Sequence, residues 1–87
     1  MSVLRLRSDN LFWREADGEV VALDAQSSRY FAANPTASAL WERLVEGATR
    51  DELVDALCGR YRVAREVAEA DVTAFLDELT ARGLLES

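Results

Sequence analysis

The sequence predicts an α+β domain in which three antiparallel strands precede three helices. Short runs of alternating side chains around an Asp-Gly pair occupy the N-terminal part, and apolar residues at helical spacing fill the rest. With 87 residues, of which 49% are hydrophobic and 30% charged, the chain has the length and composition of one folded domain. We therefore expect a single domain over residues 1–87.

A β-hairpin is predicted over residues 11–24. Its turn is Asp17-Gly18, a favoured two-residue hairpin connection because both of its positions need positive φ. This turn places Phe12 opposite Leu23 in the paired strand. Apolar side chains then lie on both faces of the hairpin, which is more than a sheet with one covered face needs.

A third short strand is predicted from Ser28 to Ala33, after a turn at residues 25–27. It is centred on Tyr30 and Phe31, whose side chains point to opposite faces because they are adjacent in a strand. With one arginine and no proline, this strand is a weakly protected sheet edge, and its unpaired N–H and C=O groups can accept an added strand. Such an edge fits an extended peptide, a covering terminus or a second copy of the chain.

Two helices follow, each with a clear start. Asn34 and Pro35 predict the first, because Asn caps free backbone N–H groups and Pro is tolerated at the first helical position. Gly47 ends it. Thr49 and Glu52 form a capping box that opens the second helix. A three-stranded sheet is unstable until such helices pack on it.

The third helix is predicted from about Ala64 to Arg82, with Gly83 as its stop. It carries two neighbouring stripes. One is apolar and suits the core; the other, part apolar and part acidic, is either a solvated flank or one wall of a groove. The apolar stripe is Val72, Leu76 and Leu79, with Phe75 at its border. The mixed stripe is Ala68, Asp71, Phe75 and Glu78, with the small Ala74 beside it.

The composition argues against catalysis and against nucleic-acid binding. The net charge is −6, all ten basic residues are Arg, and there is no Lys or His. An acidic domain is repelled by phosphate, and the lack of His removes the commonest general base and metal ligand. The one cysteine, Cys58, has no His to activate it and lies on an apolar helix stripe. We expect a non-enzymatic domain with no metal, no cofactor and no nucleic-acid partner.

The N-terminal residues, up to Leu11, alternate polar and apolar side chains. This pattern is neither that of a signal peptide nor that of a membrane span. Together with the single cysteine, it predicts a cytoplasmic protein that does not enter a membrane.

In the order and spacing of these motifs, the chain from about Leu11 onward resembles PqqD and the related leader-binding modules called RiPP recognition elements. The matching motifs are Tyr30-Phe31, Asn34-Pro35-Thr36, Leu40-Trp41, Gly47-Ala48-Thr49, Asp71-Val72, Phe75-Leu76, Leu79 and Gly83-Leu84-Leu85. The resemblance implies a winged-helix-like fold, in which a three-stranded antiparallel sheet packs on three helices. The chain departs from the family's pattern at Ala33, where a Leu is usual, and in the turn near Ser28, where a Gly is usual.

The resemblance also implies that the leader segment of a precursor peptide adds as a strand to the third strand and lies against the third helix. The strand wall of this site is Ser28, Arg29, Tyr30, Phe31 and Ala32, and the helix wall is Ala68, Asp71, Ala74, Phe75 and Glu78. Only one of Tyr30 and Phe31 is expected to meet the peptide. Asp71 fits the family's acidic position, where it pairs with a basic leader residue or anchors a backbone amide. We expect Phe75→Ala and Asp71→Ala to abolish leader binding without unfolding the domain.

The chain is most similar to the leader-binding proteins of lasso-peptide pathways, which serve a maturation protease and a cyclase. One alternative is a PqqD-type peptide chaperone for a radical SAM enzyme. Another is a winged-helix DNA-binding regulator, although the acidic residues of the second and third helices disfavour it. A third is a dimerisation module whose open strand edge pairs with itself.

Overall fold

The three strands come before the three helices along the chain, as predicted. In this computed structural model, residues 3–86 are described, and residues 1, 2 and 87 of the predicted single domain lie outside the described residues. The antiparallel strands pair in the order β1-β2-β3, so β1 and β3 are both edges. The α+β, winged-helix-like arrangement is confirmed. Its elements are β1 (Leu11–Ala16), β2 (Glu19–Asp24), β3 (Arg29–Ala33), α1 (Pro35–Glu46), α2 (Arg50–Tyr61) and α3 (Arg65–Ala81).

The hairpin has the predicted turn and register. Asp17 and Gly18 have φ angles of 54° and 80°, which is the conformation that a type I′ turn requires. Phe12 lies opposite Leu23, as expected. The inner face of the resulting sheet, which packs on the helices, can therefore be assigned by alternation along each strand.

The third strand starts one residue later than predicted. Ser28 has a φ of 58°, in the left-handed region, and so belongs to the turn. Asp24 holds this turn in place, since its carboxylate accepts hydrogen bonds from the Gln26 N–H at 3.1 Å and the Ser27 hydroxyl at 3.0 Å. Arg7 pairs with the same carboxylate at 2.5 Å.

Three of the helix ends that the sequence marked, the starts of α1 and α2 and the end of α3, are capped as expected. Asn34 Oδ1 accepts the Ala37 N–H at 2.8 Å, and Thr49 forms a reciprocal capping box with Glu52. At the end of α3, Gly83 has a φ of 70°. The Gly83 N–H donates to Thr80 and the Leu84 N–H to Leu79, which is a Schellman motif.

The core lies between the inner face of the sheet and the three helices. Trp41 of α1 is fully buried, and Phe31 of β3 stacks on it with ring centroids 5.7 Å apart. Ser38 joins α1 to the sheet: its buried hydroxyl accepts the Val20 N–H and donates to the Ala33 carbonyl. The remaining fully buried large side chains are Leu40, Leu44, Leu53, Leu57, Leu79, Leu84, Val20, Val54 and Val72.

The N-terminal segment packs against the helical part of the domain. Its alternating pattern did not predict this contact. Leu4 forms a β-bridge with Ala48, between α1 and α2, and Leu6 forms one with Leu85. Leu6 is buried in the core. Within residues 3–86, no helix is long and apolar enough to cross a membrane.

Candidate binding groove

The outer edge of β3 has no partner strand within residues 3–86. The two-residue turn fixes which residues of β2 bond back to β1 and which point towards β3. Val20 is one of the residues that point towards β3, and its N–H donates to Ser38 Oγ on that side at 2.8 Å. By the same alternation, Tyr30 and Ala32 direct their N–H and C=O groups away from β2. These groups are available to an added strand.

A groove runs between β3 and α3, whose chains point in opposite directions. The start of β3 faces the end of α3 across a pocket of about 330 Å³, and the end of β3 faces the middle of α3 across a pocket of about 290 Å³. The first, here called the basic pocket, is lined by Leu11, Ala22, Asp24, Ser27, Arg29, Phe31, Ala81, Arg82 and Leu84. The second, here called the acidic pocket, is lined by Asn34, Thr36, Ala37, Leu40, Asp71, Ala74, Phe75 and Glu78.

Phe31 is the aromatic residue of β3 that faces the groove. Its ring stacks on Trp41, lies 6.5 Å from the ring of Phe75, and has the Arg82 guanidinium 4.9 Å above it. Tyr30 points to the outer face of the sheet, beside Leu23, and is 72% exposed. The sequence left the choice between these two aromatic residues open, and the structure assigns the groove side to Phe31.

The acidic pocket contains most of the predicted helix wall. Asp71, Ala74 and Glu78 are exposed there, and Phe75 forms its apolar floor. Phe75 is only 7% exposed and is also part of the core. Truncating Phe75 to Ala therefore removes core packing, which typically costs about 3–5 kcal/mol. We therefore no longer expect Phe75→Ala to leave the fold intact. Asp71→Ala is the better test of binding, because Asp71 is exposed and lies outside the core.

Two predicted wall residues lie outside the groove. Ala68 is fully buried, because it faces the core from the first turns of α3, and so it cannot contact a peptide in the groove. Ser28 is exposed in the turn before β3 and adds no residue to the strand. Arg29 and Ala32 are exposed within β3, as a strand wall requires.

The basic pocket has a positive character although Asp24 lies in it. Burial, the largest influence, raises the pKa of Asp24, but hydrogen bonds from Arg7, Ser27 and Gln26 and the charge of Arg7 outweigh it and lower the pKa. This carboxylate is therefore ionised and fully engaged. The Arg29 guanidinium has no hydrogen-bond or ion-pair partner within the described residues, so its charge remains available.

Arg82 links the two pockets. It lines the basic pocket, and its guanidinium pairs at 3.2 Å with Glu78, which lines the acidic pocket. Arg82 is not among the site residues that the sequence predicts. Its spacing from Glu78 could have indicated it, because residues four positions apart lie on one side of a helix.

The described residues hold no group of three or more Cys, Asp or Glu side chains placed to bind a metal ion. Cys58 is half-buried and packs against the core. Exposed main-chain groups beside two small pockets of opposite charge are suited to binding an extended peptide.

Comparisons with known proteins agree with this geometry. The family model described as Coenzyme PQQ synthesis protein D (PqqD) matches residues 19–85. A structure of TbiB1 in complex with the TbiA(beta) leader peptide is 37% identical, with a TM-score of 0.87 and 95% of each chain covered. A structure of lasso peptide synthetase B1 complexed with the leader peptide is 30% identical, with a TM-score of 0.83 and 97% of this chain and 98% of that chain covered. No curated protein matches this chain.

Proposed function

Because this chain belongs to the PqqD family, we propose that it is a RiPP recognition element that binds the leader segment of a ribosomally made precursor peptide. It is non-catalytic and delivers the leader to the maturation enzymes of a lasso-peptide pathway, in the cytoplasm. The similarity to two leader-peptide complexes, which extends over nearly all of the chain, supports this function.

The observation that carries the proposal is the open edge of β3 beside the α3 groove. The leader adds as a strand through the main-chain groups of Tyr30 and Ala32. Leader residues opposite Arg29, Phe31 and Ala33 then point into the groove, because residues paired across two strands share a face. Leader residues opposite Tyr30 and Ala32 extend the outer face of the sheet.

The proposed peptide-binding residues are those that line this path. Phe31 and Phe75 provide the apolar surface at its centre, and the small Ala74 leaves room for leader side chains. The full set is Arg29, Tyr30, Phe31, Ala32, Asp71, Ala74, Phe75 and Glu78. It is the predicted set without Ser28 and Ala68.

The partner enzymes are proposed to be a leader protease and a cyclase. The alternative is a peptide chaperone for a radical SAM enzyme. The match to the PqqD model is compatible with either kind of partner enzyme. The two are separated by adding the purified domain to each enzyme with its precursor peptide. The partner whose turnover depends on the domain is the one that it serves.

Leader binding is tested by calorimetric titration with the leader of a precursor peptide of the same pathway, here called the cognate leader. We expect saturable one-to-one binding to wild type and weakened binding to Asp71→Ala. Thermal unfolding of the variant establishes that it is folded. A cognate leader that does not bind, or that binds a folded Asp71→Ala variant with unchanged affinity, contradicts the proposed groove.

A further inference from the structure

The charged side chains of the groove are ordered along its length. At the end of β3, the acidic pocket contains Asp71 and Glu78 and no cationic side chain. At the start of β3, the basic pocket contains Arg29 and Arg82, and its one carboxylate, Asp24, is already engaged by three donors. The groove is therefore negative at one end and positive at the other.

The two walls place these ends at matching distances. Asn34 lies five positions after Arg29, which at a strand rise of about 3.3 Å per residue is about 16 Å. Arg82 lies eleven positions after Asp71 on α3, which at about 1.5 Å per residue is also about 16 Å. An added strand therefore crosses from one charged end to the other within about four to six of its own residues.

Each end also offers an available charge. Asp71 and Arg29 are both exposed, and neither side chain has an ion-pair or hydrogen-bond partner in the described part of the chain. Arg82 is more constrained, because it pairs with Glu78 and lies over the ring of Phe31. Asp71 and Arg29 are thus the two groups that a bound strand can pair with at no cost to an existing contact.

We infer that the groove recognises the charge order of its peptide, with a basic residue at Asp71 and an acidic residue at Arg29. This specificity rests on the proposed function, because it describes the peptide that the same groove takes. Both charged residues must face the groove, so they are separated by an even number of positions, about four or six. An added strand antiparallel to β3 continues an antiparallel sheet, so the basic residue comes first in the peptide.

The charge order gives the peptide a direction and a register. Main-chain hydrogen bonds alone leave a strand free to slip by two residues, because every second residue presents the same groups. A charge at each end of the groove disfavours both the slipped and the reversed peptide. Exposed ion pairs contribute more to selecting the register and direction of the peptide than to its affinity.

The test is a selection of peptides for binding to the wild-type domain. The probe is a phage-displayed library of random peptides long enough to cover both pockets. We expect the selected peptides to carry a basic residue followed, at an even spacing, by an acidic one. Synthetic peptides with these two charges exchanged are expected to bind at least about fivefold more weakly.

The same selection on Arg29→Glu/Asp71→Lys is expected to return peptides with the opposite charge order. Arg14→Glu/Asp77→Lys is the matched control, since it changes the same charges at exposed positions outside both pockets and is expected to keep the original order. Thermal unfolding checks that each variant is folded. If the doubly reversed variant does not fold, Asp71→Lys alone is expected to replace the basic residue of the peptides by an acidic one.

The possible outcomes separate this inference from the proposed function. Ala32→Pro blocks the β3 edge, so peptides that bind in the groove lose affinity for it. Groove-bound peptides that have no charge order, or the same order on the charge-reversed groove, overturn the inference and leave leader binding intact. No enriched peptides, or peptides indifferent to Ala32→Pro, contradict the proposed function itself.

Discussion

The two edges of the sheet have the same main-chain pattern but different surroundings. β1 and β3 flank β2, and each leaves alternate N–H and C=O groups without a partner strand within residues 3–86. On β3 these groups belong to Tyr30 and Ala32, and the α3 groove lies beside them. On β1 they belong to Trp13 and Glu15. An open edge is common to both, so the unpaired groups alone do not determine where a peptide binds.

The inward-facing side chains distinguish the two edges. On β3, the buried ring of Phe31 separates two pockets that can take the side chains of an added strand. On β1, Glu15 faces inward and lies beside Glu42 of α1, and an inward-pointing charge is a recognised protection against strand addition. The β1 edge is therefore protected by charge, whereas the β3 edge is open to a peptide.

The largest expected effect is on stability, when the inward-facing aromatic residue of each edge is truncated. Phe31→Ala removes a ring that contacts Trp41 and Phe75, and we expect it to lower the free energy of unfolding by about 3–5 kcal/mol. Trp13 is 39% exposed and makes one edge-to-face contact with Trp41, so Trp13→Ala is expected to cost about 1–2 kcal/mol. Urea unfolding measures both. Equal losses would contradict the view that only the β3 ring is part of the core.

The sequence predicts the local features of the fold but not the long-range packing that distinguishes the two edges. The hairpin register, the helix caps and the Schellman motif were predictable because each depends on residues within a few positions of one another. The burial of Ala68 depends on how α3 packs on α2 and the rest of the core, which no local pattern specifies. The bridges of Leu4 and Leu6 join residues distant in sequence, so an alternating pattern could not identify their partners.

The second prediction concerns the main chain of the two edges. Ala32→Pro removes an outward N–H from β3 and adds a ring on its open side, while leaving the bonds to β2 intact. We expect it to weaken binding of the cognate leader at least about tenfold, since a hydrogen bond and the close approach of the strand are both lost. Glu15→Pro makes the same change on β1 and is expected to leave binding unchanged. A loss of binding in Glu15→Pro alone would assign the leader to the opposite edge.

A smaller effect is expected from the charge that only the β3 side offers to a peptide. Asp71→Asn keeps the shape of the acidic pocket and removes its unpaired charge, so we expect cognate-leader binding to weaken about two- to fivefold at low salt. The difference from wild type should shrink as salt rises, because exposed charges are screened. Asp77→Asn, at an exposed position of α3 outside both pockets, is the control and should bind as wild type does. A salt-independent difference would indicate a change of shape instead.

The smallest effect concerns the charge that protects β1. A hydrogen bond with Glu42, the charge of Glu42 and partial burial raise the pKa of Glu15, and Arg60 opposes them only in part. The ionised form is thus less favourable in the folded state than in the unfolded one, so the pair costs stability as pH rises through the folded-state pKa of Glu15. Below the unfolded-state pKa this cost is absent. Glu15→Gln should therefore raise Tm slightly at neutral pH, and the gain should vanish in acid.

The partner residue provides the control for this repulsion. Glu42→Gln should give a similar gain at neutral pH, and the double variant should gain no more than either single one, because the same contact is removed in all three. Thermal melts of the four proteins over a range of pH measure this coupling. Gains that simply add would show that the two carboxylates do not interact. In that case the protection of β1 would come from the inward charge of Glu15 alone, and not from its pairing with Glu42.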